Sequence, residues 1–347
     1  MKNLAIIHAL GKYDVGGLVR FLIDAFNNPY YRNILREQYN LNVVTSLDYS
    51  INSKTDEVFL QELNNDNKFN NTIALGIHPY GLCFIDRIPA KIKKEKNIKT
   101  VAWINDPHYF AYFAKERKET TVQNYAKKYS PIFLPNLNFL LTPSPIYFKN
   151  LNINEHDSKI IDMFYFLDPS LFKHFTNKPY NSRNNQIILS GCIDTAYKSR
   201  MEFNNLKQSN EQYNELIYRL DHPGYKNNEH MTELKYYNKL SEFKGAFVGH
   251  HVFPINFVLA KHIEVLMCGC LGFFEPNDLL LSQLGLKEFV HYVPCYSGQE
   301  IIKEYNFYKT WLESSEGEKI AKQGQEYVMS VFGEKQIDKF FTFLKNC

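Results

Sequence analysis

The sequence predicts an α/β protein built from two doubly wound, Rossmann-like domains. Short and nearly continuous apolar segments alternate with segments in which apolar residues recur at helical spacing. This alternation is typical of parallel sheets covered by helices on both faces. The chain has 347 residues, which is long enough for two domains with substantial cores. A polar segment at residues 177–186, which contains Pro179 and has no apolar period, separates the two alternating halves.

The first half is predicted to form one domain over residues 1–165. Its apolar segments predict strands at residues 4–10, 42–45, 72–77, 100–104, 139–142 and 160–164. Its helical patterns predict helices at residues 18–26, 56–63, 84–94 and 121–129. A glycine-bearing loop joins the first strand to the first helix.

The second half, residues 166–332, is predicted to form another α/β domain. Its strands are predicted at residues 186–191, 245–249, 271–274 and 289–293. Its helices are predicted at residues 197–207, 232–241, 258–267, 299–312 and 317–332. Residues 213–220 are apolar enough for a further element, and residues 221–230 are predicted to be a loop. A last helix is predicted at residues 335–344.

The charge and the short motifs exclude several classes of protein. The formal net charge is +3 and basic and acidic residues are interspersed, whereas a nucleic-acid-binding protein needs a concentrated basic face. The six cysteines lack the spacing of zinc sites, so we expect reduced, mostly buried thiols and no metal site. The sequence has neither a G-x-S-x-G elbow nor an H-E-x-x-H helix. No segment has the apolar length of a signal peptide or a transmembrane span, so a soluble, cytoplasmic protein is predicted.

The segment at residues 261–272 gives the most specific indication of function. Lys261 and Glu264 are three residues apart, so they share one face of the predicted helix. Gly269 suits the position just past a helix end, where the backbone is usually left-handed. A charged helix that leads into a buried strand is typical of a nucleotide site in an open α/β sheet, where ligands bind at the carboxyl ends of strands.

This segment resembles the donor-binding helix of GT-B glycosyltransferases, in which a basic residue, a glutamate and a run of small residues recur. Residues 286–293 and the helices that follow resemble the CgeB/YkvP-like glycosyltransferase domain, and residues 167–172 resemble the element that precedes its second domain. The resemblance covers roughly residues 168–344. It implies a GT-B fold, in which two Rossmann-like domains face a cleft and a final helix, within residues 333–347, crosses back to the first domain.

The resemblance assigns Glu264 to the ribose of a nucleotide, because a carboxylate can accept hydrogen bonds from two vicinal hydroxyls. The alternative is an exposed helical glutamate paired to a nearby lysine. Retaining GT-B enzymes often carry a second glutamate eight residues earlier. This chain has Asn256 at that position, which argues against a mechanism that needs two carboxylates.

The predicted diphosphate contacts are cations near the same strand ends. Lys261 and Arg200 are the main candidates, and Lys198 is an alternative from the same helix as Arg200. Gly191 lies in the turn before that helix. Such groups would stabilise the charge that a leaving nucleotide gains. For each cation alone, the alternative is a solvated surface position.

His250 follows a predicted strand and is a candidate donor contact. Its neighbour His251 makes a metal site conceivable, but no carboxylate or cysteine at suitable spacing supports one.

Candidates in the first half lie at two predicted loops. Gly16 and Gly17 could let backbone N–H groups approach a phosphate, although a plain tight turn explains them equally well. Asp14, Asp106 and His108 are rival catalytic bases, and His108 could instead contact the transferred sugar. The alternative for the last two is an Asp-Pro turn with a surface histidine.

The predicted function is transfer of a sugar from a UDP- or GDP-linked donor to a hydroxyl of a glycan, a protein or a small molecule, without a metal ion. A catalytically silent GT-B-like module that binds a glycan or a partner is the alternative. A sugar-nucleotide epimerase of the same fold is a third possibility. The sequence leaves the nucleobase, the sugar, the acceptor, the stereochemical outcome and the oligomeric state open.

Overall fold

A computed structural model of the chain describes residues 1–8, 28–48, 54–77, 88–104, 137–145, 160–164, 177–191, 193, 197–220, 233–250, 259–276, 281, 283–295 and 304–347. The chain divides into two compact units. Unit 1 comprises Met1–Phe166 and Gln336–Cys347, and unit 2 comprises Leu167–Lys335. Each unit holds one parallel sheet, so the predicted pair of Rossmann-like α/β domains is confirmed. In the described ranges, no helix is long and apolar enough to cross a membrane.

In the described residues, the sheet of unit 1 has six parallel strands in the order β2-β1-β3-β4-β5-β6. They are β1 (Lys2–His8), β2 (Leu41–Asp48), β3 (Thr72–Ile77), β4 (Lys99–Trp103), β5 (Phe139–Thr142) and β6 (Ile160–Asp162). The six strands agree with those predicted for this half of the chain. Their side chains are mostly buried, as the continuous apolar segments predict for a parallel sheet.

The described helices of unit 1 are α1 (Pro29–Tyr39), α2 (Lys54–Asn65), α3 (Ala90–Glu95) and α10 (Glu334–Asn346). The sequence patterns did not predict α1. Its apolar stripe is narrow, because only Leu35 and Tyr39 are buried, but the helix has a strong start. The Asn28 side chain accepts a hydrogen bond from the Tyr30 N–H at 2.9 Å, and Pro29 is in the first turn.

The last helix, α10, packs on the sheet of unit 1. Phe340, Phe341 and Leu344 lie in one buried cluster with residues of β1, β3 and β4. The Gln336 side-chain amide donates to the Phe164 carbonyl at 3.0 Å, which anchors the beginning of the helix. The predicted helices at 18–26 and 121–129, and the beginning of the one at 84–94, lie outside the described residues.

The sheet of unit 2 has five parallel strands in the described ranges, in the order β11-β10-β9-β7-β8. They are β7 (Asn184–Ser190), β8 (Ile217–Leu220), β9 (Phe243–Val248), β10 (Leu271–Phe274) and β11 (Val293–Pro294). The chain passes from β7 to β8 on one side and then to β9 on the other side of β7. The carboxyl ends of β7 and β9 therefore flank a topological switch point, where open α/β sheets bind ligands.

The described helices of unit 2 are α4 (Lys198–Ser209), α5 (Glu211–Leu216), α6 (Glu233–Leu240), α7 (Ala260–Met267), α8 (Tyr305–Glu313) and α9 (Ser315–Phe332). The apolar segment at 213–220 contains parts of two elements, α5 and β8. Part of the segment predicted as a helix at 299–312 lies outside the described residues.

The predicted strand at 289–293 is wrong. Only its last residue is in β11, and the rest forms a turn in which the Phe289 N–H donates to the Tyr292 carbonyl at 2.7 Å. Phe289 has a φ of 54° and is 51% exposed, and Val290 is also exposed. The apolar residues of this segment match the pattern of a buried strand, but the Phe289 and Val290 side chains are exposed.

Candidate functional site

The polar cluster of unit 2 lies at the carboxyl ends of its central strands. Ser190 and Gly191 are at the end of β7, Gly249 and His250 follow β9, and Glu275 follows β10. We call this cluster, together with the groups on α4, α6, α7 and β8 that contact it, the switch-point cluster. It is at the place where the strand order predicts a ligand.

The first turn of α4 is buried against the end of β9. Ser199 is 1% exposed and Arg200 is 2% exposed, although side chains in the first turn of a helix usually reach solvent. A Cβ atom at Gly249 would lie 1.9 Å from the Ser199 hydroxyl oxygen. The close approach of the helix to the strand end therefore requires glycine at position 249.

Arg200 is held over the two glycine-containing strand ends. Its Nη2 donates to the Gly249 carbonyl at 3.2 Å, and its guanidinium carbon is 4.1 Å from the centre of the Tyr197 ring. Gly191 has a φ of 105°, and a Cβ atom there would lie 3.0 Å from Arg200 Nη1 and 2.9 Å from Lys261 Cε. Arg200 and Lys261 thus meet at the end of β7, and a side chain at position 191 would displace them.

Lys261 is a partly buried cation in this cluster. Its Nζ donates to the Tyr236 hydroxyl at 2.8 Å and lies 3.5 Å from the Ser190 hydroxyl and 3.8 Å from a Glu264 carboxylate oxygen. Burial lowers the pKa of Lys261 to about 8, against the opposing attraction of Glu264, and the positive charge of Arg200 lowers it further. The ammonium group is therefore poorly compensated and favours an additional anion nearby.

Glu264 is in the second turn of α7 and is 7% exposed. The expected alternative was an exposed glutamate paired to a nearby lysine. The exposure is wrong, because the Lys261 and Glu264 side chains are 16% and 9% exposed, but the pairing with Lys261 is present. Burial raises the pKa of Glu264, and Lys261 opposes this shift. Within the described parts of the chain, its carboxylate accepts no hydrogen bond, which is unusual for a buried carboxylate.

The end of α7 has the geometry that the sequence indicates. Gly269 has a φ of 69°, as predicted. The Gly269 N–H donates to Leu266 O at 2.8 Å and the Cys270 N–H donates to Val265 O at 3.1 Å, the two bonds of a Schellman motif. The Arg183 guanidinium also donates to the Gly269 carbonyl at 2.7 Å, which stabilises the carboxyl end of the helix.

Glu275 is a buried carboxylate that the sequence interpretation did not single out. It is 7% exposed and accepts a hydrogen bond from the Ser199 hydroxyl at 2.6 Å. It also accepts one from the His250 backbone N–H at 3.3 Å, and the His250 Nδ1 is 3.5 Å away. Burial lowers the pKa of His250, and Glu275 opposes this shift. The position of Glu275 directly after a predicted strand is the signal that could have found it.

Two further members come from neighbouring elements. Tyr236 on α6 contacts Lys261 and lies 2.9 Å from the Ser190 hydroxyl. Arg219 on β8 donates to the Gly191 carbonyl at 2.7 Å. Among the described residues, the cluster therefore combines three cations, Lys261, Arg200 and Arg219, with two carboxylates. With His250 neutral near pH 7, because its pKa is lowered, the cluster has an excess of positive charge.

The remaining predicted site residues are not part of this arrangement. Lys198 is the first residue of α4 and is exposed, and among the described residues it makes no contact with the cluster. Asp14, Gly16, Gly17, Asp106 and His108 lie outside the described residues, so their roles stay predictions. In the part of the chain that the structure describes, no three histidine, cysteine, aspartate or glutamate side chains are grouped to hold a metal ion.

The fold has clear counterparts among solved structures. Neither a family model nor a curated protein sequence matches the chain. HepE from Anabaena in complex with UDP is 12% identical, with a TM-score of 0.65 over 100% of both chains. The same protein in complex with UDP-glucose gives a TM-score of 0.60 at 12% identity, over 99% of both chains. Sucrose-phosphate synthase from Thermosynechococcus elongatus is 12% identical, with a TM-score of 0.56 over 99% of both chains. At identities this low, the similarity concerns the fold alone. It confirms the predicted GT-B fold class.

Proposed function

We propose that the chain is a glycosyltransferase that moves a sugar from a nucleoside-diphosphate sugar to a hydroxyl acceptor. The observation that carries the proposal is the position of two cations, Lys261 and Arg200, side by side at the switch point of unit 2. A diphosphate supplies the negative charge that this position lacks. The UDP and UDP-glucose complexes of HepE, a protein of similar fold, support a uridine nucleotide as the first ligand to test.

The chemistry of the leaving group fits the charges of the cluster. When the glycosidic bond of the donor breaks, the nucleoside diphosphate gains negative charge. Arg200 is buried and Lys261 is partly buried, and both side chains are held at one strand end. Cations that are fixed in this way stabilise developing charge without reorganisation. We therefore retain metal independence as part of the proposal, and a chelator should leave turnover unchanged.

The role proposed for Glu264 is to bind the nucleotide ribose. Its carboxylate is buried, is 3.8 Å from Lys261 Nζ, and accepts no hydrogen bond from the described residues. Two vicinal hydroxyls would supply the missing donors.

Other parts of the proposal rest on the sequence. Asp14, Asp106 and His108 stay the candidate bases, and Gly16 and Gly17 stay candidate contacts of the first domain. A CgeB/YkvP-like relationship is also part of the proposal. The cysteines in the described ranges are free, which agrees with a reducing compartment such as the cytoplasm.

The proposal is tested by calorimetry with UDP, GDP and their glucose conjugates. We expect one nucleotide series to bind the wild type, and Glu264→Gln and Lys261→Met each to weaken binding by about tenfold or more, the loss of one good polar contact. Lys319→Met and Glu316→Gln are matched controls, because these residues form an exposed pair at the same spacing. A wild-type protein that binds none of these ligands contradicts the proposal.

Product analysis separates the remaining alternatives. A glycosyltransferase releases the nucleoside diphosphate when an acceptor receives the sugar. A silent module that binds a glycan or a partner would release no nucleoside diphosphate. An epimerase would return a rearranged sugar without any acceptor.

A further inference from the structure

Glu275 connects three elements of unit 2 around one carboxylate. The Ser199 hydroxyl reaches it from the first turn of α4 at 2.6 Å. The His250 backbone N–H reaches it from the end of β9 at 3.3 Å. Its own N–H donates to the Val248 carbonyl at 3.1 Å, so its backbone is fixed beside β9. A residue with this set of partners has little freedom to move.

The carboxylate also acts on the His250 ring. Its Oε2 is 3.5 Å from the ring nitrogen Nδ1. A carboxylate beside Nδ1 favours the tautomer in which Nδ1 carries the proton. In the neutral ring, Nε2 is then a hydrogen-bond acceptor.

The other charged or titratable groups around His250 favour the neutral ring. Among the described residues, Arg200 on α4 lowers the pKa of His250, and Glu275 opposes it. His262 on α7 carries no charge near pH 7, because burial lowers its pKa to about 3. Burial of the ring lowers the pKa of His250 as well. A neutral acceptor suits a hydroxyl donor better than it suits a phosphate, which needs hydrogen-bond donors.

We propose that Glu275 is a positioning residue that orients His250 so that its Nε2 accepts a hydrogen bond from a hydroxyl of the donor sugar. The inference rests on the proposed function and deepens it. It assigns recognition of the diphosphate to Lys261 and Arg200, and recognition of the sugar to the Ser199–Glu275–His250 group. A second carboxylate thus enters the site, eleven residues after Glu264 rather than eight before it.

The first part of the test needs no ligand. Histidine ¹⁵N NMR of the free protein, with the His250 signal assigned by its loss in His250→Gln, reports the tautomer. We expect the Nδ1-protonated form in the wild type and a shift toward the Nε2-protonated form in Glu275→Ala. An Nε2-protonated ring in the wild type, or the same tautomer in both proteins, would overturn the positioning role.

The second part compares UDP-glucose with UDP by calorimetry at pH 7.5. We expect Glu275→Ala and His250→Gln to weaken UDP-glucose by about tenfold and UDP by much less, because one sugar contact is lost. Glu275→Gln keeps an acceptor beside Nδ1 and should restore much of the difference. Glu313→Ala, which removes an exposed glutamate that also accepts a side-chain hydrogen bond, is the matched control.

The outcomes separate this inference from the proposed function. Equal losses for UDP and UDP-glucose would overturn the sugar contact, even where both ligands bind the wild type. Failure of the wild type to bind either ligand would contradict the proposed function, while the NMR result would still decide whether Glu275 orients the ring.

Discussion

At the scale of single residues, burial changes what Lys261 can do. An exposed lysine is fully protonated at neutral pH and only weakly attracts an anion through water. Removal from water lowers the pKa of Lys261 to about 8, although a carboxylate is nearby. Because this pKa lies below the value of 10.5 in the unfolded chain, the unfolded chain binds more protons between about pH 8 and pH 10.5. Stability therefore rises with pH over that interval for this group, and the buried charge is a cost below it.

A bound diphosphate would stabilise the protonated Lys261 side chain, so the affinity for a diphosphate should depend on pH. The ligand favours the protonated ammonium group, so UDP affinity should be constant below about pH 8 and fall by up to tenfold per pH unit above it. Lys261→Arg should remove the fall, because a guanidinium group stays protonated. Calorimetry between pH 7 and pH 9.5 measures both proteins, with Lys319→Arg as the exposed control. A wild-type affinity that does not change across this range would contradict the assignment.

At the scale of elements, asparagines with left-handed backbones precede several strands of unit 1. Asn40, Asn71 and Asn97 have φ values of 55°, 54° and 51°, and they come just before β2, β3 and β4. Asparagine tolerates this conformation better than other residues with a Cβ atom. In three connections of unit 1, a left-handed asparagine therefore comes just before the next strand begins, on the amino-terminal side of the sheet.

Asn40 provides the test, because it caps α1 and its N–H donates to the Leu35 carbonyl. We expect Asn40→Ala to lower the free energy of unfolding by about 1 kcal/mol, since alanine is strained at this φ. Asn40→Gly should be close to neutral or slightly stabilising. Urea unfolding of the three proteins gives the comparison, and equal stability of the alanine and glycine variants would show that the backbone conformation is not what matters.

Much of the fold could be predicted, because local patterns determine it. The buried parallel strands appear as continuous apolar segments, and the end of α7 is encoded by Gly269. Helix α1 was missed because its stability comes from a cap and a few contacts rather than from a wide apolar face. The segment around Phe289 was misassigned because the residue type of an apolar side chain does not show whether it is buried or exposed.

Members of the switch-point cluster were predicted only where they share one predicted helix or follow a predicted strand. Lys261 and Glu264 share one helix, and Arg200 and His250 follow predicted strands. Tyr236 reaches the cluster from α6, and Arg219 reaches it from β8, so their positions depend on the strand order. No local pattern encodes that order.

At the scale of the whole molecule, the core of unit 1 depends on the last helix of the chain. Phe340 is fully buried and its ring centre is 5.9 Å from that of Trp103. The chain has two tryptophans, Trp103 in unit 1 and Trp311 in unit 2. Each tryptophan can therefore report the unfolding of one unit.

We expect Phe340→Ala to destabilise unit 1 by about 3–5 kcal/mol, the usual cost of removing a buried phenylalanine. In a Trp311→Phe background, the urea midpoint reported by Trp103 should fall clearly. In a Trp103→Phe background, the midpoint reported by Trp311 should move less. Phe203→Ala, at a fully buried position of unit 2, should give the opposite pattern. Equal shifts at both tryptophans would indicate that the units unfold together.

The two ends of the chain meet, because Lys2 Nζ donates to the Lys345 carbonyl at 2.9 Å. In the sequence, unit 2 is inserted between the two segments that build unit 1. During translation, the first 166 residues leave the ribosome without their covering helix, and unit 2 is complete before that helix is made. Until then, the apolar face of the unit 1 sheet that Phe340, Phe341 and Leu344 cover is exposed to solvent. In a circularly permuted chain that begins with residues 336–347 and continues directly into residue 1, the covering helix would be synthesised before the sheet of unit 1.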